Sequence, residues 1–481
     1  MQKRFRLAAG LLAGLILTST LHADALPELG DAASEELPLA TEKRIGQEIM
    51  QEVRRDPQYL DDPEVEGYLN QLGGRLAAAS SDPGIGFYFF AIEDPMINAF
   101  AMPGGYIGVH TGLLLAAQTE SELAGVIAHE VSHVTQRHIA RQIHREKQMS
   151  VPAMVLMGLA LVAARSNTQV AQAASAIGTG LPAQAQLNFS RDYEREADRS
   201  GFEILQKAGF DVRGMSNFFE RLQRSTRVYE NNAPVYLRSH PLTSERISDM
   251  QNREQRQRYK QVADSIDFYL VRAKLRAMKG HPTEAIKDFE GLVRDRKYPS
   301  DGAAHYGLAV AMSRMRDWKG AETQIQAARK LQVASPMLDR LQAESRIGQG
   351  DVNGGLAFYR DAISRYPLNN ALVYAYGDAL VAQRRFTDSL GLAENQLRNT
   401  PGDIRLYQLQ AQSYAALGRR AQQHRALAEA YALQGQTPAA VQQLELAQRA
   451  GDANFYELSV IDARLRELKR RVAEEAKEKQ K

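Results

Sequence analysis

The 481-residue chain contains no cysteine. It therefore has no disulfide framework, no lipid-modified cysteine near its N-terminus and no dependence on redox conditions. A surplus of one charge is also missing, since 60 basic residues face 57 acidic ones and leave a formal net charge of +3. No basic stripe interleaved with aromatics occurs either, which excludes nucleic acid as a partner. Long apolar runs are scarce. Leu7 to Leu17 is short for a membrane span. Lys3, Arg4 and Arg6 precede it and Ala23-Asp24-Ala25 follows, so residues 1–25 read as a secretory signal peptide, with an uncleaved anchor as the alternative. The mature chain is expected to be exported, and soluble or peripheral to a membrane.

A second apolar stretch lies between residues 149 and 190. Val151 to Ala164 is fourteen residues without a charge, and Gly178, Gly180 and Pro182 follow. That length is too short for a confident span. It reads first as a buried or cleft-covering helix with a glycine-bearing lid, and second as a peripheral membrane contact.

What remains is ordinary globular composition, 44% hydrophobic and 24% charged, in a chain long enough for two or more domains. Ile45, Ile49 and Val53, then Val65, Tyr68, Leu69, Leu72 and Leu76 behind Asp62-Pro63, carry helical spacing. Phe87 to Ile92 favours a strand, and Ile97–Ala101 and Tyr106–Val109 flank Pro103-Gly104-Gly105 as a hairpin. A small sheet is thus expected just upstream of "GVIAHEVSHVTQRH", residues 125–138, which holds three of the ten histidines.

Thr119 and Glu122 are spaced as a capping box, and Leu123, Val126 and Ile127 supply an apolar face, so this segment is a helix. Positions four apart share a helical face, so His129 and His133 can point at a common atom with Glu130 beside them. This is the HExxH arrangement, in which two imidazoles bind Zn²⁺ and the glutamate is the general base. A third ligand is needed. The metzincin spacing is absent, because Ile139 and Gln136 stand where a histidine and a glycine would be required. "SRDYEREADRSGFEIL" instead offers Glu194, Glu196 and Asp198. Glu194 and Asp198 share a face, so one can bind the metal while the other accepts a hydrogen bond from a ligand imidazole. Glu196 points away from that face, and His138, a turn and a half past His133, is rotated off the ligand face.

In that order, "NAFAMPGGYIGVHTGLL" (98–114), "AHEVSHVTQRH" (128–138), "YEREADRSG" (193–201) and "SHPLTSER" (239–246) resemble the M48 family of zinc metallopeptidases. The resemblance implies a gluzincin-like α+β domain with one zinc per subunit, held by His129, His133 and Glu194. It makes Glu130 the base and Asp198 the acceptor behind a ligand histidine. It also implies a strand at Tyr106–Val109 along the cleft, where an extended substrate could add by β-augmentation. His240, in a His-Pro pair followed by Arg246, reads three ways: a surface-turn histidine, a donor to the developing oxyanion, or a fourth ligand that displaces the catalytic water. The inhibitory ligand is favoured, because a protease for rare failed clients needs a resting state.

Beyond residue 262 a period begins. Pro282, Trp318, Val352 and Phe386 recur at 36, 34 and 34 residues, each followed three positions later by Ala285, Ala321, Gly355 or Ser389. This is the tetratricopeptide signature, an all-α solenoid with a concave surface for extended segments. The expected organisation is a signal peptide at 1–25, a peptidase domain at 26–262 that folds alone, repeats at 263–450 blurring towards Arg449, and a charged, solvated helix or tail at 451–481.

Resemblance to periplasmic members of the family implies an endopeptidase of the periplasm, peripheral to the outer membrane, that degrades misassembled outer-membrane β-barrel proteins and assists their assembly complex. The competing reading is a chaperone-like repeat scaffold with a mostly latent zinc site. Intact catalytic positions favour proteolysis.

Overall fold

The computed structural model describes residues 37–145, 190–228, 235–258 and 260–478. The expected signal peptide, residues 1–25, and the expected lid stretch, Val151 to Ala164 with Gly178, Gly180 and Pro182, lie outside these residues. Among the described residues no helix is long and apolar enough to cross a membrane.

The first part is α+β. Helices α1 (Leu39–Val53) and α2 (Pro63–Ala78) precede strands β1 (Tyr88–Ile92), β2 (Ala99–Met102) and β3 (Tyr106–His110). Asp62 starts α2, its side chain accepting from the backbone N–H groups of Glu64 and Val65 with Pro63 in the first turn. Side chains alternate across a strand. Phe89, Ala91, Ala99, Ala101, Ile107 and Val109 accordingly share a core with Leu69 and Leu72 of α2, while Phe90, Ile92, Phe100 and Met102 pack with Ile45, Ile49 and Val53 of α1. The sheet is therefore covered on both faces.

Its order is β1-β3-β2, with β1 parallel and β2 antiparallel to β3. The hairpin turn is a 3-10 segment, Pro103–Gly105, in which Gly104 and Gly105 take φ of 77° and 86°, values that favour glycine. The register corrects one expectation. With neighbours on both sides, β3 has no free backbone edge, so Tyr106–Val109 cannot take an added strand. The edge strand packed on the HExxH helix is β2.

Among the described residues of this part the helices that follow are α3 (Thr111–Ala116), α4 (Glu120–Thr135), α5 (His138–Arg145), α6 (Arg191–Lys207), α7 (Arg213–Val228), α8 (Val235–Ser239) and α9 (Ser244–Gln255). The solenoid then runs from α10 (Ile266–Met278) through α11 (Pro282–Asp295), α12 (Asp301–Arg314), α13 (Trp318–Lys330), α14 (Pro336–Gly348), α15 (Val352–Arg365), α16 (Asn370–Ala382), α17 (Phe386–Leu397), α18 (Ile404–Ala416), α19 (Arg420–Leu433) and α20 (Thr437–Arg449) to α21 (Phe455–Glu478). Pro282, Trp318, Val352 and Phe386 are each the first residue of a helix, and the small residue three places on is buried in every case. The period does not blur where expected: Arg420, 34 residues after Phe386, opens the next helix of the series. Its register was hidden because Gln423 replaces the small residue.

The charged end is not solvated along its length. Ile461, Leu465 and Leu468 of α21 are buried against Ala428, Ala432, Leu444 and Ala447, closing the apolar face that the last repeat would otherwise expose. Nor do the two parts have separate cores. Phe268, Leu270, Val271 and Ala277 of α10 and Leu338 and Leu341 of α14 belong to the same apolar cluster as α2, α4 and the sheet. Glu64 of α2 meets Lys274 Nζ at 2.5 Å and Arg340 Nε at 2.6 Å. A fragment ending near residue 262 would uncover this shared core and leave Glu64 without its cations, which argues against autonomous folding.

Candidate metal centre

Helix α4 is buried on all sides from Glu120 to Val134. Thr119 caps it by accepting from Glu122 N–H, while the Glu122 carboxylate reaches back to Gln118 N–H at 2.6 Å and pairs with Arg221. One turn apart on this rigid rod, His129 and His133 bring their Nε2 atoms to 3.0 Å. Helix α6 crosses closely because Gly201 lies over the backbone of His129, where a Cβ would stand 3.2 Å from its N and Cα. That approach sets Glu194 against both rings, 3.4 Å from His129 Nε2 and 3.5 Å from His133 Nε2.

His240 joins them. It follows the last turn of α8 and is 2% exposed, which rules out the surface-turn reading. Its Nδ1 is 2.9 Å from Glu194 Oε1 and 3.4 Å from His129 Nε2, and the Tyr236 ring stacks on it at 4.7 Å. One donor atom from each of His129, His133, Glu194 and His240 lies within 4.8 Å of the others.

Behind the cluster, Asp198 Oδ1 stands 3.0 Å from His129 Nδ1. Arg246 grips Asp198 with two hydrogen bonds, Nε at 2.6 Å and Nη2 at 2.7 Å, and sets Nη1 2.8 Å from Glu194 Oε2. The same Nη1 donates to the Pro241 carbonyl at 2.8 Å, so one guanidinium ties both carboxylates to the segment carrying His240. Burial works against charge on these groups, yet His240 and His129 hold Glu194 well below the usual carboxylate range, and Arg246 and His129 hold Asp198 below it. His129 is likewise opposed by burial, but Asp198 and Glu194 outweigh it and raise the ring to about 9. His133 is pushed well down by burial and by the charge on His129.

The sequence prepared for only part of this. Sequence spacing assigns Arg246 no task, although two carboxylates destined for burial on one helix face require a nearby cation, and that is the available signal. Tyr236 carried no signal.

The donor set can be tested against a metal. Three imidazoles and a carboxylate converge, with the Asp198 carboxylate and the Arg246 guanidinium behind them, as a zinc or similar ion requires. Beside them, both Glu130 carboxylate oxygens are buried without a hydrogen-bond partner, the nearer 3.6 Å from His240 Nε2. A buried base with no protein partner suits a site that receives a water and a substrate.

Fold and donor set together define a metallopeptidase of the HExxH-plus-glutamate class. The sequence profile of peptidase family M48 matches residues 63–254, and that of the tetratricopeptide repeat matches 270–336 and 340–404. The chain is 30% identical to the β-barrel assembly-enhancing protease of Escherichia coli (strain K12), over 96% of this chain and 97% of that one. It is also 30% identical to the protein of that name from Yersinia pestis, over 96% and 97%. With the mitochondrial metalloendopeptidase OMA1 of Schizosaccharomyces pombe it shares 28% identity over 51% of this chain and 71% of that one. The chain belongs to peptidase family M48.

Proposed function

We propose that this metallopeptidase is a zinc endopeptidase of the periplasm, peripheral to the outer membrane, that degrades misassembled outer-membrane β-barrel proteins and assists the complex that assembles them. The observation that carries the peptidase reading is the unpartnered, buried Glu130 carboxylate beside the four-donor cluster. The client class rests on the names of relatives similar along nearly the whole chain. Export rests on the N-terminal basic, apolar and small-residue order, and the peripheral placement on the uncharged run Val151 to Ala164 in the sequence.

His129, His133 and Glu194 are the ligands in this reading, for one zinc per chain. When bound, the ion would polarise the scissile carbonyl and acidify a water. Glu130 takes the proton of that water and passes it to the leaving amine. Asp198 accepts from His129 Nδ1–H, which leaves Nε2 free for the ion. The substrate lies extended along β2, the edge strand packed on α4. The repeats dock the client. Between them and the peptidase is a cavity of about 1320 Å³ lined by Tyr59, Tyr88, Tyr374 and Arg405, with the 94% exposed Leu368 at its wall.

His240 completes a four-donor set and so closes the open position that hydrolysis needs. We read this as the resting state, and it is the observation that also favours the chaperone-like scaffold with a latent site. His240→Ala should raise turnover of an unfolded substrate and start self-cleavage, at unchanged zinc content. A fall of roughly 100- to 1,000-fold would make His240 an oxyanion donor instead, and unchanged behaviour would deny it both roles.

The client class is tested by envelope proteomics with Glu130→Gln. Uncut β-barrel precursors should co-purify with the variant above the wild-type level. A trapped set without outer-membrane proteins would end that part of the reading.

A further inference from the structure

His133 has a neighbour that neither binding nor proteolysis has used. Helix α4 ends at Thr135, and Arg137, at φ 52°, turns the chain so that α5 starts at His138. The turn folds His138 back onto His133 rather than carrying it around the same helix. His138 is fully buried, and its Nδ1 lies 2.9 Å from His133 Nδ1. Its Nε2 lies 3.2 Å from Glu196 Oε2, which also accepts from Arg141 Nη1 at 2.9 Å. The Tyr193 ring stacks on His138 at 4.5 Å and 14°, and the Arg141 guanidinium lies over the Tyr193 ring at 4.6 Å.

The protons in this chain have one consistent arrangement. His133 turns Nε2 towards His129 and Glu194, so a metal there needs the Nε2 lone pair and places the His133 proton on Nδ1. Two ring nitrogens 2.9 Å apart bond only if one carries hydrogen and the other is bare. His138 Nδ1 is thus the acceptor, the His138 proton sits on Nε2, and Glu196 accepts it. We infer that His138 and Glu196 are positioning residues that fix the tautomer and orientation of His133 for the metal. Each HExxH histidine then has a carboxylate behind it and an arginine behind that: Asp198 and Arg246 directly for His129, Glu196 and Arg141 through a second imidazole for His133.

This inference rests on the zinc reading, and its test separates the two. Zinc affinity is measured on the full chain by competition with a chelator, beside thermal melts of the metal-free proteins. His138→Phe keeps a ring against Tyr193 but removes the acceptor, and should weaken zinc roughly 10- to 100-fold. His138→Asn restores an acceptor near the Nδ1 position and should return affinity to within about threefold of wild type. A role in packing alone predicts the reverse ranking. Wild-type affinity in His138→Phe, or no recovery in His138→Asn, overturns the inference. If His138→Phe does not fold, Glu196→Ala at the half-buried end of the chain decides: a several-fold loss supports the pair, and an unchanged affinity overturns it. Wild-type protein that binds no zinc sinks the zinc reading itself.

Discussion

Glu194→Ala is expected to abolish stable zinc binding and to take peptide hydrolysis below detection. Glu194 is the one carboxylate among the four donors, and it arrives on a different helix from the HExxH pair. Without it the remaining donors are imidazoles, and an uncharged cage holds a divalent cation less well. Asp198→Ala leaves the donors intact but removes the acceptor of the His129 proton, and should cost roughly 10- to 100-fold in affinity. It also strips Arg246 of its two-bonded partner in a buried position, which should destabilise the fold by roughly 3 kcal/mol. Metal analysis and chelator competition on the purified variants check both. Full occupancy at wild-type affinity in Glu194→Ala would remove Glu194 from the site.

Glu130→Gln should lower kcat by roughly 10²- to 10⁴-fold, the range for losing a positioned general base, while zinc content and KM stay near wild type. The substitution keeps shape and volume and removes only the basic oxygen. Because neither Glu130 oxygen has a protein hydrogen-bond partner, the substitution breaks no hydrogen bond of the fold, and His240 Nε2 stands 3.6 Å away. Steady-state kinetics on an unfolded substrate, with zinc measured in the same samples, check this. Turnover at the wild-type rate would show that the proton is moved by another group.

What the sequence disclosed and what it withheld follow from locality. Helix α4, its cap and the approach of His129, His133 and Glu130 depend on spacing within one helix, which a sequence states directly. The repeats were legible for the same reason, up to Gln423, where a missing small residue hid a period that the backbone keeps. The pairing order of the sheet was not legible, because β1 joins β3 across an intervening strand and no local pattern encodes that. His138 stays out of the donor set, as its spacing implies, but its contact with His133 was not legible: one left-handed residue, Arg137, ends α4 and changes which side chain stands behind His133. His240 and Arg246 lie more than forty residues beyond Glu194 in sequence, and only the packing of α6 on α4 and of α9 on α6 shows that they share one site.

The most direct test of a zinc centre built from His129, His133, Glu194 and His240 is zinc K-edge X-ray absorption on the resting wild-type protein. One zinc per chain, bound by three imidazole nitrogens and one carboxylate oxygen at about 2.0–2.2 Å, is the predicted result. A protein without zinc, or an ion held by two imidazoles or fewer, would contradict it.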